Sequence, residues 1–133
     1  MPGSLPRKAV AVVIKDSKVL LVRDRGKYRF SFPGGEIRKG EHPSSAAARA
    51  LLDKTGLVVK RYAGLGSFKG LVTDYRVCLI EATGHVYLHR GSGLNKYIWW
   101  NMKSPVYVYN NVKLILGYWY ENKSYLKWKE YSR

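Results

Sequence analysis

Gly35-Glu36-Ile37-Arg38-Lys39-Gly40-Glu41, followed after seven intervening residues by Arg49-Ala50-Leu51-Leu52-Asp53-Lys54-Thr55-Gly56-Leu57, is the stretch on which the reading of this chain turns. The residues leading into it, Arg29-Phe30-Ser31-Phe32, alternate polar and aromatic side chains as a short strand does. Pro33-Gly34-Gly35 then breaks that pattern into a tight loop, because proline lacks an N–H donor and glycine admits positive φ. Beyond the loop the chain turns helical. Pro43 suits a first turn, three consecutive alanines and two leucines follow through Lys54, and Gly56 is placed to stop the helix, with His42 as its approximate cap.

Working outward, Val10 to Ile14 and Val19 to Arg23 are β-branched runs around the polar turn Lys15 to Lys18, which predicts a hairpin. After the helix, β signals return at Val58 to Tyr62, Thr73 to Ala82 and His85 to His89, separated by the glycines between 64 and 70 and by Gly84. Tyr97 to Trp100 predicts one further strand. Val106 to Glu121 carries Val108, Val112, Ile115, Leu116 and Trp119 at the spacing of an amphipathic helix. The predicted class is α+β, a mixed sheet with two helices. A single domain over residues 1–121 is followed by a basic, aromatic tail over 122–133.

The spacing resembles the Nudix box, in which Gly, five residues, Glu, seven residues and then Arg-Glu-apolar-x-Glu-Glu-x-Gly-apolar recur. Gly35, Glu41, Arg49, Leu51, Gly56 and Leu57 fall on its positions, and Phe32 to Glu36 matches the usual lead-in. The order of elements along nearly the whole chain also follows that of the Nudix (MutT-like) superfamily. The resemblance implies the Nudix fold, a mixed sheet between helices. It further implies a magnesium or manganese site on the box helix that activates water against a phosphoanhydride.

Where the family carries its helix glutamates, this chain has Ala50, Asp53 and Lys54. Positions 50 and 54 lie one turn apart on one helix face, and there one supplies a methyl group and the other an ammonium. Magnesium is a hard cation that takes oxygen ligands, so Asp53 alone is expected to bind it weakly. Without a metal to polarise phosphate and acidify water, turnover is expected to be slow or absent. An ammonium at 54 offers a different service, neutralising a phosphate directly; the plain alternative is a solvated lysine at a helix end, where the dipole favours it. If the site is active, Glu41, Arg49 and Asp53 are its catalytic candidates, although Arg49 and Asp53 are also spaced for an ordinary i,i+4 ion pair. Gly34, Gly35, Arg38, Lys39 and Lys54 are the candidate phosphate-binding set.

Twenty-four Lys and Arg against nine Asp and Glu give a formal charge of +15, a field that gathers polyanions. Arg23, Arg25, Lys27 and Arg29 alternate along a strand and turn next to the box loop, and are candidates for contacting nucleic acid. In the tail Lys123, Lys127, Lys129 and Arg133 interleave with Tyr125, Trp128 and Tyr131, a mixture that suits RNA. The alternative is that Leu126 and Trp128 pack on the domain and leave the lysines in water. His42, His85 and His89 show no metal-like grouping, though 85 and 89 would share one face of a strand. Cys78, the only cysteine, reads as a core residue of a strand.

No apolar run approaches the ~20 residues of a membrane span, and the prolines in Met1 to Ala9 leave no signal-peptide core, so a cytoplasmic protein without a membrane partner is expected. Three functions stay open. One is a Nudix-fold module binding RNA or nucleotide phosphates with little or no metal-dependent hydrolysis. Another is a hydrolase of a nucleoside diphosphate derivative with a rearranged metal site, and the third a structural subunit of a ribonucleoprotein assembly.

Overall fold

The computed structural model describes residues 5–132, so Met1 to Ser4 and the tail's Arg133 lie outside the described residues. Strand β1 (Arg7–Lys15) turns at Asp16 and Ser17 into β2 (Lys18–Asp24), both turn residues having positive φ (51° and 62°). That conformation twists with the strands it joins, and the expected hairpin is present. The box loop yields β3 (Gly34–Glu36) and leads to helix α1 (Pro43–Thr55). Next come β4 (Val58–Lys69), β5 (Asp74–Thr83), β6 (Leu94–Trp100), α2 (Asn110–Asn122), a single 3-10 turn (Lys123–Tyr125) and a two-residue β7 (Lys129–Glu130).

The sheet runs β6-β2-β1-β5-β4-β7, with β3 added to β1. Its centre is parallel, β1 against β5, and every other pairing between these named strands is antiparallel, which makes the sheet mixed. Side chains alternate across it as the pleat demands. Ala9, Ala11 and Val13 face α1 together with Ala46, Ala47 and Leu51. Val10 and Val12 face α2 together with Val112 and Ile115. The expected mixed sheet between two helices is therefore the observed architecture, and Cys78 is a buried core residue of β5.

One irregularity matters for function. β1 pairs with β2 only at its far end, Ile14 to Lys15, and with β3 at its start, Lys8 to Val10. Between these two pairings the sheet forks, and residues 30–34 thread the fork. Ser31 bridges Val22 on one side, and the Pro33 carbonyl accepts from Ala11 N (2.9 Å) on the other.

The structure departs from the sequence reading in four places. Arg29 to Phe32 makes isolated bridges rather than a strand, while the expected loop at Gly34 and Gly35 is itself strand β3. The glycines after residue 63 bend β4 through bulges instead of ending it, since glycine tolerates the extra residue a bulge inserts. His85 to His89 is not a strand. It runs alongside the end of α1, where Tyr87 N and His89 N donate to the Thr55 and Lys54 carbonyls (2.8 and 3.3 Å). Its alternation is real, with Val86 and Leu88 packed inward, but its partners are helix-end carbonyls that lack intrahelical donors. Finally, α2 begins at Asn110, because Val106 to Tyr109 is extended and tied to Phe30.

Candidate functional site

Helix α1 is closed at both ends as its sequence requires. His42 Nδ1 accepts from Ser44 N (3.2 Å), and Gly56, at φ 77°, donates from its N–H to the Leu52 carbonyl. The helix lies against β3 at very close range, and small residues permit this. A Cβ at Gly34 would stand 2.1 Å from the Ala9 carbonyl oxygen, and one at Gly35 would stand 2.9 Å from the Ala50 Cβ. Ala50 is 3% exposed and fills the junction by packing. These two glycines make the β1–β3–α1 contact sterically feasible, whatever else they do.

Glu41 and Arg49 lock the box loop onto the helix. The guanidinium donates to both carboxylate oxygens (3.0 and 2.9 Å) and to the Glu36 carbonyl (2.8 Å), and Arg38 N donates to Glu41 Oε1 (3.0 Å). Hydrogen bonds from the Arg49 side chain, then from the Arg38 backbone, hold the Glu41 carboxyl at a pKa of about 2. The i,i+4 ion pair of Arg49 with Asp53 does not form, because the fork is already taken by Glu41 and Glu36. Asp53 is exposed and borders a separate shallow cleft with Leu52 and Tyr131.

Lys54 points the other way. Its Nζ donates to the Gly34 carbonyl, and the side chain is half-buried. Burial, and next the positive charge of Lys8, push its pKa below the ordinary value, with Asp24 opposing. Gly34 belongs to the wall of a concavity of about 400 Å³ at the sheet fork, within the range of small-molecule sites. Lys8, Val10, Asp24, Arg29, Ser31, Phe32, Tyr75, Tyr109, Asn110 and Asn111 complete that wall. Asn111 Oδ1 is buried there with no hydrogen-bond partner among the described residues.

The structure thus brings Gly34 and Arg29 to one cavity, holds Lys54 on the Gly34 carbonyl without making it part of the wall, and leaves Arg38 and Lys39 exposed on the box loop, away from it. Arg23 lies over the Phe30 ring and donates to Asn95, and Arg25 and Lys27 occupy the exposed turn after β2. The tail cations are elsewhere. Trp128 packs on the α2-side core beneath Arg61 (5.0 Å to the ring centroid), Leu126 packs beside it, and Lys129 pairs with Tyr62 at the β4 edge. Lys123 lies over the Tyr120 ring (4.8 Å) and Lys127 is exposed. Four strand spacings, roughly 20 Å, separate β7 from β2, so the two basic groups do not form one patch.

Sequence reasoning missed Lys8, Asp24, Tyr75, Asn110 and Asn111. Only the asparagine pair carried a local signal: Asn favours helix starts, and reading it so would have begun α2 at 110. Among the described residues no three His, Cys, Asp or Glu side chains gather as a metal site, and no helix is long and apolar enough to cross a membrane.

Comparison with known proteins agrees with this geometry. An ADP-ribose pyrophosphatase from Methanocaldococcus jannaschii is 26% identical over 128 residues, 89% of this chain and 71% of that protein. A nudix hydrolase family member from Chromobacterium violaceum superposes with a TM-score of 0.79 at 21% identity, covering 92% of this chain and 81% of its own. A MutT NUDIX hydrolase from Burkholderia pseudomallei gives 0.78 at 15% identity, with 86% and 98% covered. The sequence model of the NUDIX domain matches residues 5–100, which contain the box, the forked sheet and every strand but the last. This chain belongs to the NUDIX domain family.

Proposed function

We propose that this protein binds the phosphates of nucleotides or RNA at the sheet fork with little or no metal-dependent hydrolysis. The observation that carries the reading is the half-buried Lys54 ammonium on the carbonyl of Gly34, a residue of the cavity wall, one helical turn from Ala50. The available oxygen donors do not fit a resident divalent ion. Glu41 is engaged by Arg49, Asp53 stands alone on the outer side, Asp24 is the single carboxylate on the cavity wall, and a divalent ion beside Lys54 would be repelled by its charge. The same ammonium, with Lys8 and Arg29 at the cavity, suits a phosphate through charge-assisted hydrogen bonds. The Asn111 acceptor suits a donor elsewhere on the ligand.

A second reading, hydrolysis with a rearranged metal site, draws its support from the similarity to the M. jannaschii ADP-ribose pyrophosphatase. Participation in a ribonucleoprotein assembly, and a cytoplasmic location, rest on the charge of +15 and on composition. Calorimetry with ADP and ADP-ribose, with and without magnesium or manganese, tests the first reading, alongside chromatographic detection of AMP released from ADP-ribose. Metal-independent binding, abolished by Lys54→Met and weakening at alkaline pH below lysine's ordinary 10.5, is expected. Metal-dependent AMP release at ordinary enzyme rates supports the second reading instead.

A further inference from the structure

Beside the cavity, two extended segments are zipped together. Phe30 N donates to the Tyr107 carbonyl (2.8 Å) and Tyr109 N donates to the Phe30 carbonyl (3.1 Å), so Phe30 and Val108 pair in parallel and pack inward. Their neighbours are left on the outside. Arg29 lies between two rings, its guanidinium carbon 5.4 Å from the centroid of Tyr28 and 5.6 Å from that of Tyr109. Tyr28 meets Tyr107 edge to face at 5.8 Å. Tyr28 is 62% exposed and Tyr107 75%, although both are large rings on a chain with a substantial core.

Backbone hydrogen bonds therefore hold a row of rings and one stacked guanidinium in place, and the row leads into the cavity because Arg29 and Tyr109 also line it. Arg25 and Lys27, exposed on the adjoining turn, add positive charge, and Arg23 is close by. The geometry points to this row as a stacking platform for single-stranded RNA whose terminal nucleotide enters the cavity. Flat faces that stack any base, set among cations that follow the backbone, are what sequence-tolerant single-strand binding requires. Ribose supplies, at every nucleotide, a 2′-hydroxyl donor for the unpartnered Asn111 acceptor, which deoxyribose lacks. The platform differs from the C-terminal tail, whose Trp128 is already committed to Arg61 and the core. The entry of the terminal nucleotide rests on the phosphate-site reading above; the stacking does not.

Fluorescence anisotropy with a 3′-labelled, 5′-phosphorylated eight-nucleotide RNA, the matching DNA strand, and calorimetry with ADP test both parts. Tyr28→Ala with Tyr107→Ala should weaken RNA binding by roughly tenfold or more, leaving ADP affinity and the melting temperature unchanged. Tyr28→Phe with Tyr107→Phe keeps the flat faces and should keep the affinity, separating stacking from any loss of folding. Unchanged RNA affinity in the alanine pair, or equal loss in the phenylalanine pair, overturns the platform even where ADP still binds. Equal affinity for the DNA strand overturns the assignment to RNA. A protein that binds RNA through these tyrosines yet does not bind ADP keeps the platform and refutes the phosphate site.

Discussion

The junction of β3 with α1 and the rim formed by residues 28–29 and 107–111 lie on either side of one cavity, and they treat their polar groups in opposite ways. At the junction Glu41, Arg49 and Lys54 are committed to partners within the protein. Glu41 is gripped by Arg49, Lys54 holds the Gly34 carbonyl, and Ala50 meets Gly35 at packing distance. At the rim, rings and cations face outward and Asn111 Oδ1 has no partner. The difference teaches where recognition resides. A box that uses its polar residues on itself is a scaffold element with one cation to offer, and the unmet valences have moved to the rim.

The sharpest way to break that comparison is to violate the packing at the junction. Gly34→Ala places a methyl group where the Ala9 carbonyl already stands, at 2.1 Å from backbone that cannot swing aside. It is expected to cost about 3 kcal/mol or more, as severe overpacking does, and urea denaturation reads this directly. A loss under about 1 kcal/mol would show that β3 does not approach β1 as described.

Somewhat smaller is the effect of releasing the box loop. Arg49→Ala removes the bidentate grip on Glu41 and is expected to cost about 1–2 kcal/mol, the lower end reflecting partial exposure of the pair. The Arg49 guanidinium holds the Glu41 carboxyl down to about 2 in the folded protein against 4.5 ordinarily. Its contribution is therefore complete above pH 4.5 and is lost as pH falls toward 2. Unfolding measured across that window should show the acid loss in the wild type and a weaker slope in Arg49→Ala. Parallel curves would mean that Glu41 is no more tightly held than a free carboxylate.

Rebuilding the box tests the same contrast from the other side. From sequence alone, Ala50→Glu with Lys54→Glu reads as harmless to the fold, since helix propensity tolerates Glu. The structure revises this expectation, because Ala50 is buried against Gly35 and the Gly34 carbonyl would lose its donor. The double variant should melt below the wild type without metal, and regain several degrees when millimolar manganese or magnesium binds the new carboxylates. A melting temperature indifferent to metal would mean that the cavity cannot host a metal even with its carboxylates restored.

How much of this was legible beforehand follows from the range of each signal. The box helix, its His42 cap and its Gly56 stop were readable because capping and φ preferences act within a few residues. The hairpin followed from two β-branched runs around a polar turn, for the same reason. The fork at β1, the use of Arg49 on Glu41 instead of Asp53, and the meeting of Lys8, Asp24 and Asn111 are long-range outcomes that no local pattern encodes. His85 to His89 misled because alternation reports an extended chain without reporting its partner, which here is the end of α1.

The smallest expected change in stability, and the most discriminating in binding, belongs to Asn111. Its Oδ1 is buried without a donor, so folding has already removed that oxygen from water without compensation. Asn111→Ala deletes the orphaned acceptor along with some packing at the first turn of α2. These effects oppose each other, and stability should shift by no more than about 0.5 kcal/mol in either direction. If the oxygen is kept for a ligand, the same variant should weaken nucleotide binding roughly five- to tenfold, because a hydrogen bond made only in the complex is lost. Calorimetry with ADP and a thermal melt, run on the same sample, read the two quantities together. A variant that loses a kilocalorie or more of stability while binding as before would return Asn111 to the scaffold, and with it the claim that the rim is the part of the molecule left open for a partner.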